Sequence, residues 1–237
     1  LRRNAESESA TLSYWPAVVI FAAFAWFQLV YPGPADPGTL AWAVLVYAIL
    51  TLFAVFVFGP KAWFSRGDPF AVFMAQLGAA APVGQGLALR VPGAGLVALA
   101  SLPIPDTLFV LLTLSSISFD GFANTFLWLS SIGVNPLDFP GRTALVLSNS
   151  LGLGVFYVLL AIVYMACVAA GWSWSGTSVS LRSILGRFVF SLIPISIAYH
   201  FAHYLSDTLV QLQYFALALN DPFGNGANLL DLGHHHV

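Results

Sequence analysis

The stretch LAWAVLVYAILTLFAVFVF, residues 40–58, runs for nineteen residues without a charge. A helix rises about 1.5 Å per residue, so this segment nearly covers the ~30 Å hydrocarbon layer of a bilayer. It stops at Gly59-Pro60. The KAWFSRGDPF that follows supplies Lys61, Arg66 and Trp63, a basic and aromatic edge suited to a headgroup layer. The whole chain agrees: of 237 residues, 59% are hydrophobic and 8% charged, with a mean hydropathy of +0.84. Soluble domains carry about a quarter charged residues.

Four further segments read as spans or near-spans. The first covers about Trp15 to Tyr31 and ends at YPGPADPG, whose prolines and glycines cannot continue a helix. The second is the stretch above. DPFAVFMAQLGAAAPV opens with Asp68 as N-cap and Pro69 at the first helical position, and it is too short to cross before Pro82, so an interfacial or re-entrant helix is expected. A loop or a short two-stranded excursion fills 84–105. The third span runs from about Asp106 to Phe119, the fourth from about Thr143 to Gly171. Between them, NTFLWLSSIGVNPLDFPGR is an apolar loop broken by Gly133, Pro136 and Pro140. The last helical run, Leu181 to Asn220, would be about 60 Å long if straight, and Pro194 is its natural kink. The expected fold is all-α: a polytopic transmembrane helix bundle of about five spans plus the interfacial or re-entrant helix, forming one integral-membrane domain over 1–237. The chain opens LRRNAESESATLSYWP without an initiator Met or a signal peptide, which predicts a processed chain or part of a longer one.

Lys and Arg set the expected orientation. With the N-terminus cytoplasmic, Arg2, Arg3, Lys61, Arg66, Arg90, Arg182 and Arg187 fall inside and only Arg142 outside. The C-terminus is then extracytoplasmic, as in a multi-pass protein of a bacterial inner membrane. The net charge of −2 has no basic face, which argues against nucleic acid as a partner. Cys167 alone excludes an intrachain disulfide and any Cys-built metal site, and it reads as a small packing residue.

Candidate chemistry gathers near the outer end. In IAYHFAHYLSD, His200, His203 and Asp207 stand at i, i+3 and i+7, one helical face, which suits Zn, Cu or non-haem Fe. Asp120, Asp221 or the histidines His234 to His236 would complete the set. The competing readings are an aromatic belt for YHFAHY and ordinary turn or capping work for Asp120 and Asp221. A carboxylate or ion beside His203 is the sharper expectation, because an unpaired imidazole in hydrocarbon costs several kcal/mol.

AWFSRGDPFAVFMAQLGAAAPV, SSISFDGFANT, FVFSLIPISIAYHFAHYLSDTLVQLQYF and NDPFGNGANLL together resemble, in order and spacing, the bacterial polytopic membrane proteins called fenitrothion hydrolases. The resemblance implies a longer chain with more spans, and hydrolysis of an organophosphate ester by a membrane-bound, heteromeric enzyme. His203, Asp120 and Asp221 match that pattern; Asp207 and the terminal histidines do not. Asp120 and Asp221 are then the candidate catalytic carboxylates. His203, His200 and Asp207 are the candidate metal ligands. Two other classes stay open. One is a non-catalytic subunit whose apolar loops pack on other membrane subunits or pigments. The other is a transporter, motivated by Pro194 and the intramembrane histidines.

Overall fold

The computed structural model describes residues 12–84, 86, 88–138 and 141–231, so the expectations on Arg2, Arg3 and His234 to His236 lie outside the described residues. Its main helices are α1 (Trp15–Leu29), α2 (Pro37–Phe58), α3 (Pro69–Ala80), α4 (Ile104–Ala123), α5 (Arg142–Ser175), α6 (Leu181–Phe188) and α7 (Leu192–Asn220). Among the described residues there is no strand, only an isolated bridge between Val83 and Leu89. The fold is all-α, as expected. By length and composition four helical runs suffice to cross a membrane: α2, α4, α5 and the run Leu181–Asn220. The first expected span is a shorter apolar helix of 15 residues, about 22 Å. The chain divides into two compact units, Leu1–Ser196 and Ile197–Val237.

In the first unit α4 is the central helix. Phe109, Leu111, Ile117 and Phe119 are fully buried, and so are Thr113 and Ser115. Its hydroxyls make an apolar environment tolerable by bonding back to their own helix: Thr113 to the Val110 carbonyl (2.8 Å), Ser115 to Leu112 (3.0 Å) and Ser116 to Thr113 (3.0 Å). α1 runs parallel to α4, with Phe21 edge-on to Phe109 at 5.2 Å and Val30 clustered with Phe119. α5 is antiparallel to both. Trp26 of α1 donates to Ser150 (2.9 Å), and the Tyr157 hydroxyl donates to the Leu108 carbonyl (3.2 Å).

α2 differs in kind. Phe53 and Phe56 are 67% and 89% exposed, and of its residues only Ala54 is buried. A helix with outward apolar side chains on every face is at home in lipid, not in water. Cys167, expected as a packing residue, is exposed on α5, which likewise turns a wide apolar face outward.

The 59–80 segment is a helical hairpin. The chain leaves α2 at Gly59, in the positive-φ region (80°), and passes through Pro60–Ala62 and a π-turn, Trp63–Gly67. Trp63 packs with Leu12, Ala54 and Ala62, near the start of α1 and the end of α2. At Asp68 the chain has reached the middle of both neighbours: Phe70 lies 5.1 Å from Phe24 and 5.5 Å from Tyr47, ring to ring. α3 then returns, and Gln76 meets Asp106 at the start of α4. The helix expected to be interfacial or re-entrant begins beside the middle of α1 and α2 and runs back from there.

Arg90 closes this region by donating to the carbonyls of Gly78 (2.5 Å), Ala79 (3.2 Å) and Ala81 (3.0 Å) at and just past the C-terminal end of α3. The expected two-stranded excursion amounts to the one bridge and a short helix, Ala94–Val97. Gly95 is required there, since a Cβ would collide with the Ala79 carbonyl and the Arg90 guanidinium. The last run is continuous apart from a 3-10 turn, Val189–Ser191. Pro194 has no N–H for the Phe190 carbonyl, so the irregularity sits where its ring predicts.

Candidate functional site

The expected site residues divide between the two units. Asp120 is in the first, near the C-terminal end of α4. There it lines a cavity of about 370 Å³ together with Asn124, Arg142, Leu129 and Asn149. Neighbouring bonds hold these groups. Arg142 donates to the carbonyls of Gln28 (3.1 Å) and Tyr31 (3.3 Å), Asn124 donates to the Asp120 carbonyl (3.0 Å), and Trp128 donates to Asn149 Oδ1 (2.9 Å). Phe119, which also lines the cavity, and Trp128 meet edge-on at 5.6 Å. Gly152 lets them approach, because a Cβ there would come within 2.5 Å of Trp128. Part of the expected apolar loop is thus a helix, Phe126–Ser131, capped by the Thr125 hydroxyl, which accepts from Trp128 N–H (3.2 Å).

His200, His203, Asp207 and Asp221 belong to the second unit. The His203 ring stacks on Tyr199 (6.4 Å, 8°) and meets Tyr204 edge-on (4.9 Å, 86°). The aromatic surroundings weighed against a metal are therefore present. Asp221 accepts from the backbone N–H of Asn225 (3.0 Å) and Gly226 (2.8 Å), closing the loop after α7. These bonds, Gly226 first, hold its carboxyl below the usual carboxylate range. Among the described residues no group of three or more His, Cys, Asp or Glu side chains gathers as a metal set.

Two carboxylates buried in the first unit were read from the sequence only as helix starts. Asp68 is 2% exposed and Asp106 3%. Asp68 Oδ1 accepts from Ala71 N–H (2.7 Å) as the N-cap of α3, and Oδ2 accepts from the Tyr47 hydroxyl. Among the described residues no Lys, Arg or His side chain forms an ion pair with it. Arg66, two residues earlier, reaches away to the Leu12 carbonyl (3.3 Å) and the face of Tyr14, 5.8 Å from its centroid. The Trp63 indole N–H is buried in the same hairpin without a hydrogen-bond partner. Asp106 accepts from Gln76 at 3.2 Å. Burial, then the neighbouring Asp106, pushes the Tyr14 hydroxyl up, with Arg66 opposing.

The signal available in sequence was an ionisable residue within reach of apolar spans. The DP pair at 68–69 has an ordinary capping explanation that hid it. The chain matches no protein-family model, no curated protein and no solved structure.

Proposed function

We propose that the chain is a multi-pass protein of a bacterial inner membrane and that it passes a small cation along the hairpin, with Asp68 as the station at its apex. The observation that carries this is a carboxylate at 2% exposure, without a cationic partner among the described residues, half-way along two apolar helices. A chain reversal at that depth survives in hydrocarbon only when packed in protein or beside a polar path, and buried ionisable groups there mark such paths. Asp106 and Gln76 provide a second polar station toward the end where α1 and α4 begin. Arg66, Arg90 and Arg187 lie at that end and Arg142 at the opposite one, which supports a cytoplasmic hairpin mouth and a cytoplasmic N-terminus. The test is cation flux in proteoliposomes, with Na⁺ and H⁺ as probes. Leak above that of empty vesicles, abolished by Asp68→Asn, supports the reading. Vesicles as tight as protein-free ones overturn it.

A second reading concerns the opposite end, where the cavity at Asp120 favours an ester hydrolase. Asp120 would act as base toward water, and Arg142 would stabilise a phosphoryl oxygen. The resemblance to fenitrothion hydrolases points the same way. An aryl phosphotriester releasing nitrophenolate tests it. Turnover lost in Asp120→Asn and kept in Asp68→Asn would favour hydrolysis over transport.

A further inference from the structure

We infer that the cavity between the 91–99 segment and the α6–α7 junction seats one anionic phospholipid, its phosphate on Arg187. This rests on the membrane reading above but not on the transport path. The cavity encloses about 650 Å³ and is lined by Val91, Val97, Leu99, Phe190, Ser191 and Arg187, among others. That volume lies within the ~300–1,000 Å³ of small-molecule sites, enough for a headgroup and the upper part of one acyl chain.

Three observations fix the chemistry of the occupant. First, Val91 and Val97 are 75% and 88% exposed, so the wall is apolar and open at its rim. A hydrated inorganic anion gains nothing from such a wall, whereas an acyl chain does. Second, Arg187 is exposed, and its guanidinium makes no hydrogen bond or ion pair among the described residues. By contrast Arg66 and Arg90 have their guanidinium groups on backbone carbonyls. A guanidinium at the rim of an apolar cavity suits a phosphodiester, which it can bind through two parallel N–H groups. Third, the cavity opens at the end that gathers the basic residues, which the positive-inside pattern turns to the cytoplasm, where anionic lipid attracts such groups. The Ser191 hydroxyl donates to the Phe188 carbonyl (2.7 Å), so its oxygen lines the cavity as an acceptor and the cation there is Arg187. The short 3-10 turn before Pro194 contributes Phe190 and Ser191 to this wall.

The test uses the full chain in detergent micelles, with phosphatidylglycerol, phosphatidylcholine of the same acyl chains, or inorganic phosphate added. Thermal unfolding and native mass spectrometry are the readouts. Expected is a Tm rise of about 3 °C or more with phosphatidylglycerol, a smaller one with phosphatidylcholine and none with phosphate. Arg187→Gln should lose the phosphatidylglycerol increment and the retained lipid. Arg182→Gln, on the same helix but outside the cavity, should keep both. Val97→Glu, a change on an exposed side chain, should lower lipid retention with Arg187 intact, which covers the case in which Arg187→Gln fails to fold. Equal protection by both lipids, equal loss in the two arginine variants, or protection by phosphate alone would overturn the seat. Recovery of the protein from the soluble fraction without detergent would instead overturn the membrane reading.

Discussion

The Tyr47 hydroxyl donates to the Asp68 carboxylate half-way along α2, joining that outward-facing apolar helix to the apex of the hairpin. The bond is local chemistry with a long-range effect. It holds the hairpin against α2, where the buried Thr51 hydroxyl one turn on is the neighbouring polar group. Tyr47→Phe should leave Asp68 with the Ala71 N–H as its remaining hydrogen bond and lower cation flux severalfold. Asp68→Asn should lower it at least about tenfold. Proteoliposome flux measured side by side would settle the order; equal effects of both variants would place the tyrosine on the path itself.

The link between Leu102 and Gly186 is a second point of fixation. Leu102 N–H donates to the Gly186 carbonyl at 2.9 Å, and a Cβ on Gly186 would run into the Leu102 backbone. Gly186→Ala should therefore destabilise by ~1–3 kcal/mol or more, because backbone cannot step aside as a flexible side chain can. Gly154→Ala on α5 meets nothing within 4 Å and should be nearly neutral. Thermal unfolding of the two variants in detergent makes the comparison.

Arg90 closes α3 by serving three carbonyls at once. Arg90→Met keeps the aliphatic stem and removes the donors, with an expected loss of ~1–3 kcal/mol for the group. Limited proteolysis should then cut between Ala81 and Pro92 sooner than in the parent protein. An unchanged cleavage rate would mean that the carbonyls find water without loss.

Asp221 gives a pH prediction. Its carboxyl is held below the ordinary Asp value of about 3.9 by the N–H groups of Gly226 and Asn225. A depressed folded pKa means the stabilisation is fully present above the unfolded value and disappears as pH falls through the folded one. The loop at 221–231 should thus be insensitive to pH from neutral down to mild acid and loosen only in stronger acid. Amide exchange at Asn225 and Gly226 reads this directly, and Asp221→Asn should show the loosened rate at neutral pH.

Local signals in the sequence carried most of the fold. Asp68-Pro69 marked the start of α3, YPGPADPG the turn between α1 and α2, and Pro194 the break in the last run. Depth was not legible, because a capping pair looks the same at a bilayer surface and at the centre of a bundle. The span expected to close at SFDGF, about Phe119, carries Ser115, Ser116 and Ser118 in α4. The helix continues to Ala123, since those hydroxyls return to its own carbonyls. The i, i+3 spacing of His200 and His203 correctly placed them on adjacent turns, but spacing along one helix carries no information about donors from other segments. Asp120, expected at the end of the span, lies within α4, which ends at Ala123. Its companions Arg142 and Asn149 come from the next helix, beyond the reach of a local pattern.

The polar interior of α4 has a consequence for how the protein is made. With Asp106, Thr107, Thr113, Ser115 and Ser116 on it, this helix is less apolar than α2 or α5, and it is covered largely by protein, α1 and α5 among its neighbours. Leaving the translocon alone would expose those groups to hydrocarbon before their neighbours arrive. α1, α2 and the hairpin precede it and can wait at the exit, but α5 follows it. α4 should therefore linger in the translocon until α5 has been synthesised, and the two should be released into the bilayer together.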